Sequence, residues 1–168
     1  MVNLKSYVTL MILCLFSIEE GWAQSPSNLS VTDRLSMTVN LAGAVASGMN
    51  KEVVIDRSQW INYSVEINPS DPAASISVAI GSGTLPSGIE IFLEADRDNG
   101  LGYGKVGRPT GKVRLSNTPS ALINDIGSSS TGRGKQHGHR LTMSSIVTDY
   151  ALLHSGDYTL YIQYTISQ

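Results

Sequence analysis

The segment Asp96-Arg-Asp-Asn-Gly100 carries the most chemically suggestive residues of the sequence. Its carboxylates alternate and are followed by Asn-Gly, as at the start of a calcium-binding loop, where oxygen ligands at alternate positions converge on the cation. The twelfth position of such a loop is a glutamate, but here it is Gly107. Asn-Gly is also common in hairpin turns, because both residues accept positive φ. Asp96 and Asp98 are therefore candidate calcium ligands, with a plain turn as the competing interpretation; no other cofactor is expected.

Two histidines, His137 and His139, lie at the end of a Gly/Ser-rich stretch, 127–138. A tetrahedral metal site needs four ligands, and the remaining histidine is His154. Unligated histidines in a glycine-rich loop are the alternative interpretation. Tyr103 stands between two glycines, and an exposed aromatic ring of this kind can pack on a ligand. Tyr103, His137 and His139 are therefore candidate ligand contacts.

Catalytic patterns are absent from the sequence. Serines are abundant, but no Gly-x-Ser-x-Gly motif marks a nucleophile positioned beside a base. Glu66 and Glu90 alternate with apolar residues, which is typical of the solvent-facing side of a strand. We therefore expect that the protein is not an enzyme.

The first 23 residues have the features of a secretion signal. Lys5 supplies the positive charge, Val8–Ile18 is an apolar run, and Gly21 and Ala23 are the small residues of a cleavage site. The run is shorter than the roughly 20 apolar residues of a transmembrane helix, although an uncleaved anchor is the alternative. We predict a signal peptide over 1–23, one secreted domain over 24–168, and no transmembrane span in the mature chain.

The predicted mature chain has balanced charges and no cysteine. Residues 1–23 hold Lys5, Glu19 and Glu20, so the 12 basic and 14 acidic residues become 11 and 12. A nucleic-acid-binding domain normally carries a basic face, and no nucleic-acid partner is expected here. Because Cys14 lies in the signal, no disulfide can form in the mature domain.

Apolar and polar residues alternate through most of the mature chain, which is the pattern of strands with one buried face. In Trp60–Ile67, for example, Ile61, Tyr63 and Val65 share one face. Turn-forming Pro, Gly and Asn separate the segments, and 145–153 reads as a helical turn or a loop. The sequence therefore predicts an all-β, immunoglobulin-like sandwich of two sheets. The other predicted strands are Val53–Asp56, Ser75–Ile80, Ile89–Ala95, Lys112–Leu115, Ala121–Ile126, His139–Met143 and Tyr158–Ile166.

The longest alternation precedes these strands, over residues 29–41. Such a segment can complete the sheet of another chain, where main-chain hydrogen bonds give affinity and alternate side chains fill the groove. It can equally pair within its own domain as the first strand, and both alternatives stay open. The candidate residues for strand exchange are Leu29, Val31, Leu35, Met37 and Val39.

Several motifs in the second half of the chain resemble a known group of proteins. They are Val113-Arg-Leu-Ser-Asn-Thr-Pro119, Leu122-Ile123, Ile126-Gly-Ser-Ser-Ser-Thr-Gly132, Gly138-His-Arg-Leu141 and Asp149-Tyr150. The chain resembles small exported β-sandwich proteins of Bacteroidetes type, which are similar in turn to spore-coat-U-like subunits of archaic chaperone–usher pili. The resemblance implies a pilin-like sandwich that exchanges strands with other copies or related subunits, and as partners a periplasmic chaperone and an outer-membrane usher.

The sequence thus predicts an exported structural or adhesive protein of the periplasm or cell surface. The alternative is a secreted glycan-binding module that uses the loops 96–107 and 127–139. Both predictions place the protein outside the cytoplasm, but they assign its function to different parts of the chain.

Overall fold

A computed structural model describes residues 27–31, 52–153 and 158–168. Within these ranges the chain forms ten strands and one short 3₁₀ turn, Tyr150–Leu152, with no α-helix. The predicted all-β class is confirmed. The strands are β1 Ser27–Val31, β2 Val53–Asp56, β3 Trp60–Val65, β4 Ala74–Ser82, β5 Ile89–Ala95, β6 Tyr103–Pro109, β7 Val113–Arg114, β8 Ser120–Ser130, β9 His139–Val147 and β10 Tyr161–Ser167. No helix among these residues is long and apolar enough to cross a bilayer.

The strands form two antiparallel ladders, one centred on β8 and the other on β9. One edge of β8 pairs first with β4 and then with β3, and its other edge pairs with β6. The strands β10 and β1 lie outside β4 and β3. The second ladder is centred on β9, which pairs with β2 and β5, and β7 lies outside β5. The two ladders join where Trp60 and Ile61 of β3 pair with Arg140 and His139 of β9.

One hydrophobic core draws side chains from both ladders. Ile61 and Ile76 belong to the β8 ladder and Leu93 to the β9 ladder, and each has no exposed surface. Every second residue of β5 is buried, because successive side chains of a strand point to opposite faces. Alternation in the sequence therefore predicted the inward faces of β3, β4 and β5.

The largest differences from the sequence prediction concern three strands, β6, β8 and β9. The segment β6 was not predicted, because an edge strand with solvent on one side needs no regular apolar alternation. Strand β8 continues to Ser130, through part of the stretch expected to be a loop, since its backbone pairs there with β6 and β3. Strand β9 likewise continues to Val147, within the segment predicted as a turn or loop.

Of the predicted first strand, residues 29–41, the structure describes only 29–31, which belong to β1 Ser27–Val31. This segment pairs antiparallel with β3 of its own chain, so that Leu29 lies opposite Tyr63. Leu29 is half-buried and packs against the core. The candidate exchange residues Leu35, Met37 and Val39, and the predicted signal peptide, lie outside the described residues.

Candidate functional site

Strand β1 is one of two candidate sites and lies at a sheet edge. Its five residues pair with β3 alone among the described strands. The opposite edge of β3 is occupied by β8 and β9. The sequence between Val31 and Val53 is 21 residues long, and an extended chain spans about 3.3–3.6 Å per residue. The connection is thus long enough to carry β1 roughly 70 Å from β2.

The second candidate site is the end of the domain where loops 96–102 and 131–138 meet. The backbone N–H of Asn99 donates to the Gly138 carbonyl at 3.4 Å. Tyr103 lies opposite Ser130 in the β6–β8 ladder, so each loop joins the ladder at the same point. The structure therefore brings together the two loops that the sequence suggested for ligand binding.

His139 lies inside the domain beneath these loops. It is the first residue of β9 and has no exposed surface. Its Nδ1 lies 2.8 Å from the Asp96 carbonyl oxygen and its Nε2 lies 2.9 Å from the Tyr63 hydroxyl. Because a carbonyl oxygen only accepts, Nδ1 carries a proton and donates to Asp96. The sequence suggested a ligand contact, but the imidazole ring instead connects β9 to β3 and to the end of β5.

Tyr63 completes this buried polar centre. Its ring is stacked on that of His139, with 5.8 Å between centroids, and its hydroxyl donates to the Val106 carbonyl of β6. Burial, together with the nearby charge of Asp98, raises the pKa of the Tyr63 hydroxyl. The hydroxyl therefore stays protonated and holds β6 against the core of the other strands.

Asn62 fixes the loop 131–138 from below. Its amide donates to the His137 carbonyl at 2.5 Å and accepts from the Gly134 N–H at 3.0 Å, and the residue is 1% exposed. The candidate contact His137 is half-buried, and its Nδ1 has no hydrogen-bond partner in the described part of the chain. Asn62 escaped the sequence analysis because an asparagine on a strand's polar face gives no sign of burial.

The candidate calcium ligands Asp96 and Asp98 lie in the other loop. Asp98 Oδ2 accepts from the Gly100 N–H at 2.8 Å, which is the hydrogen bond of an Asx turn. Its Oδ1 is buried without a hydrogen-bond partner, whereas Asp96 is exposed. Across residues 27–31, 52–153 and 158–168, no three His, Cys, Asp or Glu side chains converge in a way that could hold a metal.

Tyr103 is the most exposed aromatic residue in the described ranges, at 73%, and Leu101 beside it is 62% exposed. The flanking glycines allow this position. A Cβ on Gly102 would lie 2.5 Å from the Ser130 carbonyl oxygen, and Gly104 has a φ of +81°. The backbone therefore packs directly on β8 while the ring of Tyr103 stays at the surface.

Four arginines surround the same end of the domain, and all are exposed: Arg57, Arg97, Arg133 and Arg140. Within the described residues none of them forms an ion pair. No local pattern in the sequence marks this group, because its members are up to 83 positions apart. They become neighbours only when β3, β5 and β9 meet.

The chain matches no family model, and no curated protein or solved structure shows significant similarity to it. The resemblance to pilin-like exported proteins, stated above on sequence motifs, therefore stays a prediction.

Proposed function

We propose that this protein is an exported structural or adhesive protein of the cell surface, and that its copies assemble by exchange of strand β1. In this proposal the all-β domain is an immunoglobulin-like sandwich, and residues 1–23 direct it out of the cytoplasm. Its partners are other copies or related subunits, assisted by a periplasmic chaperone and an outer-membrane usher.

The observation that carries the proposal is the position of β1. It occupies the outer edge of β3, pairs with no other described strand, and is joined to β2 by a long connection. The hydrogen bonds it makes are main-chain bonds of a regular ladder, from Ser27 opposite Val65 to Val31 opposite Ile61. The β1 strand of a second copy could form the same ladder, which is the condition for exchange of an identical element.

Engineered cysteines can distinguish exchange from pairing within one chain. Asn28 and Ser64 are direct partners in the β1–β3 ladder, and the Cα atoms of such partners lie at disulfide distance. In a Cys14→Ser background, one chain carries Asn28→Cys and a co-expressed chain carries Ser64→Cys. Exchange predicts a covalent dimer of one chain of each kind under oxidising conditions.

Two further variants make the cysteine result decisive. The double variant Asn28→Cys/Ser64→Cys shows whether the bond can form at all. Co-expression of Asn28→Cys with Thr118→Cys, an exposed position outside the β1–β3 ladder, measures random cross-linking. If the double variant closes its disulfide within one chain while the mixed chains stay monomeric, β1 is an ordinary first strand and the proposal is refuted.

A second candidate function is binding of a glycan, and a specific observation supports it. The loops 96–102 and 131–138 lie together at one end of the domain, and Tyr103 exposes 73% of its surface there. Exposed aromatic rings can pack on the apolar face of a sugar. A glycan-array screen tests this function: binding that Tyr103→Ala abolishes supports it, and an array without any binding excludes it.

A further inference from the structure

Charge is distributed unevenly over the domain. Outside the loop end, each described lysine or arginine lies within 4.0 Å of a carboxylate: Lys105 and Arg108 at Asp125, Lys112 at Glu52, and Arg114 at Glu90. At the loop end, the four arginines 57, 97, 133 and 140 have no such partner among the described residues. The protein as a whole has a formal net charge of −2, so the charge of this surface is opposite in sign to the net charge of the protein.

The backbone holds these arginines close to one another. Arg140 donates from Nε to the Arg57 carbonyl at 2.8 Å, and its own carbonyl accepts from the Asp96 N–H at 2.8 Å, next to Arg97. Arg133 precedes Gly134, whose N–H donates to Asn62. All four positions are therefore fixed near the start of β3 and β9 and the end of β5.

The carboxylates at this end do not cancel the positive charge. Three aspartates are present against four arginines and Lys135 of loop 131–138. Asp56 accepts from the N–H and hydroxyl of Ser58, and Asp98 accepts from Gly100. Asp96 follows β5, and its N–H donates to the Arg140 carbonyl. In the sequence Asp56 precedes Arg57, and Asp96 and Asp98 flank Arg97, but none of these carboxylates forms an ion pair with an arginine in the described residues. The guanidinium group of Arg140 donates from Nε to the Arg57 carbonyl, whereas those of Arg97 and Arg133 have no partner in the described residues. A guanidinium group can bind a carboxylate through two parallel N–H donors.

Aromatic rings lie at the same end. Trp60 is half-buried and is the direct ladder partner of Arg140. Tyr103, at the start of β6, is exposed where the two loops meet. Arginine guanidinium groups and aromatic rings at the same end of the domain suit a ligand that carries both carboxylates and flat apolar faces. Acidic sugars have both features.

We infer that the loop end of this domain binds an acidic polysaccharide whose sugar units carry carboxylates, through Arg97, Arg133 and the exposed ring of Tyr103. This inference rests on the second candidate function, glycan binding, and names its ligand class. A nucleic acid fits less well, because proteins that bind it neutralise many phosphates along a basic stripe, and this surface is small and belongs to an acidic protein.

Calorimetry with a defined pair of probes tests the inference. One probe is an oligosaccharide of galacturonic acid, and the other is the same oligosaccharide with every carboxyl methyl-esterified. The full-length protein should bind the acid at least tenfold more tightly than the ester. Affinity for the acid should also fall severalfold between about 0.05 M and about 0.5 M salt, because salt screens exposed charges.

Single substitutions locate the binding surface. Arg97→Gln and Arg133→Gln should each weaken binding about two- to fivefold, as expected for exposed charge contacts, and the double variant about tenfold. The matched control is Arg108→Gln on β6, whose side chain is 85% exposed and faces Asp125. Its affinity for the acid should be unchanged.

The remaining outcomes overturn the inference in distinguishable ways. Equal binding of acid and ester leaves glycan binding standing and refutes the acidic ligand. Failure to bind either probe, combined with an empty glycan array, refutes both. Equal or tighter binding of a single-stranded oligonucleotide of the same charge refutes the preference for a sugar. Loss of affinity in Arg108→Gln as large as that in Arg97→Gln refutes the assigned location.

Discussion

Removing one hydroxyl group should measure how strongly the buried polar centre holds the domain together. Tyr63 is 3% exposed, its hydroxyl donates to the Val106 carbonyl, and the same oxygen lies 2.9 Å from His139 Nε2. The substitution Tyr63→Phe keeps the ring and its apolar contacts. It removes only the hydroxyl, through which Tyr63 of β3 contacts Val106 of β6 and His139 of β9.

The expected magnitude follows from this loss. A buried hydrogen-bond partner left unsatisfied costs about 1–3 kcal/mol, and Tyr63→Phe removes the hydroxyl from both the Val106 carbonyl and His139 Nε2. We therefore expect Tyr63→Phe to lower the free energy of unfolding by about 2 kcal/mol. In a protein of this size that corresponds to roughly 4–8 °C in Tm.

Urea denaturation followed by fluorescence gives the free energy of unfolding directly. The matched control is Tyr161→Phe on β10, where the side chain is 66% exposed and the change should stay within about 0.5 kcal/mol. Hydrogen exchange should also become faster in β6, since the side-chain hydrogen bond from Tyr63 to the Val106 carbonyl is gone and only the ladder with β8 holds this strand. If Tyr63→Phe matches the control in both measurements, the hydroxyl does not stabilise the domain and the reasoning is refuted.

Three further predictions concern other parts of the domain. Gly138→Ala should lower the free energy of unfolding, measured in urea, by more than about 3 kcal/mol, because φ is +73° and the new Cβ would collide with the Ile61 carbonyl. The control is Gly134→Ala, where φ is +87° but the surrounding space is open, and the cost should be only about 1–2 kcal/mol. The hydrogen bond from Lys112 holds the pKa of Glu52 below its usual value, so this carboxylate stabilises the fold at neutral pH and the contribution is lost as pH falls through that lowered pKa. Glu52→Gln should therefore cost a few tenths of a kcal/mol at pH 7. In a series of denaturation experiments at decreasing pH, this difference should vanish once the pH has fallen below the lowered pKa. Leu93→Ala should cost about 2–5 kcal/mol by calorimetry, since the side chain has no exposed surface, and a smaller loss would contradict its place in the core.

Apolar alternation in the sequence predicted the strands whose one face is buried. Ile89–Ala95 was predicted with the bounds that β5 has, and its four inward residues are the buried ones. Such strands are readable because the period of two directly reflects burial on one side. At the C-terminal end, alternation predicted a strand from Tyr158, three residues before β10 begins at Tyr161. Tyr158 itself is 37% exposed.

The pairing of edge strand β6 and the burial of His139 could not be predicted from apolar alternation. Strand β6 has the sequence Tyr-Gly-Lys-Val-Gly-Arg-Pro, in which glycines replace side chains that would collide with β8. The buried ring nitrogens of His139 lie close to the Tyr63 hydroxyl and to the carbonyl oxygens of Asp96 and Val106. These residues are 33 to 76 positions away from His139, and local sequence carries no signal of such contacts.

The proposed exchange of β1 has a thermodynamic consequence that points to a partner. The contacts of β1 with β3 are the same within one chain and between two, so their free energies cancel, and the balance depends on concentration. A connection of 21 residues keeps β1 near its own β3 at an effective concentration of the order of millimolar. At micromolar protein, pairing within the chain therefore exceeds exchange unless another strand occupies the outer edge of β3 first. The mixed cysteine chains still report exchange, because each disulfide formed under oxidising conditions removes an exchanged pair from this equilibrium. A chaperone that covers Ile61–Val65 and then gives up this edge to the β1 of the next subunit would favour exchange, and its addition should raise the yield of the covalent dimer between the Asn28→Cys chain and the Ser64→Cys chain.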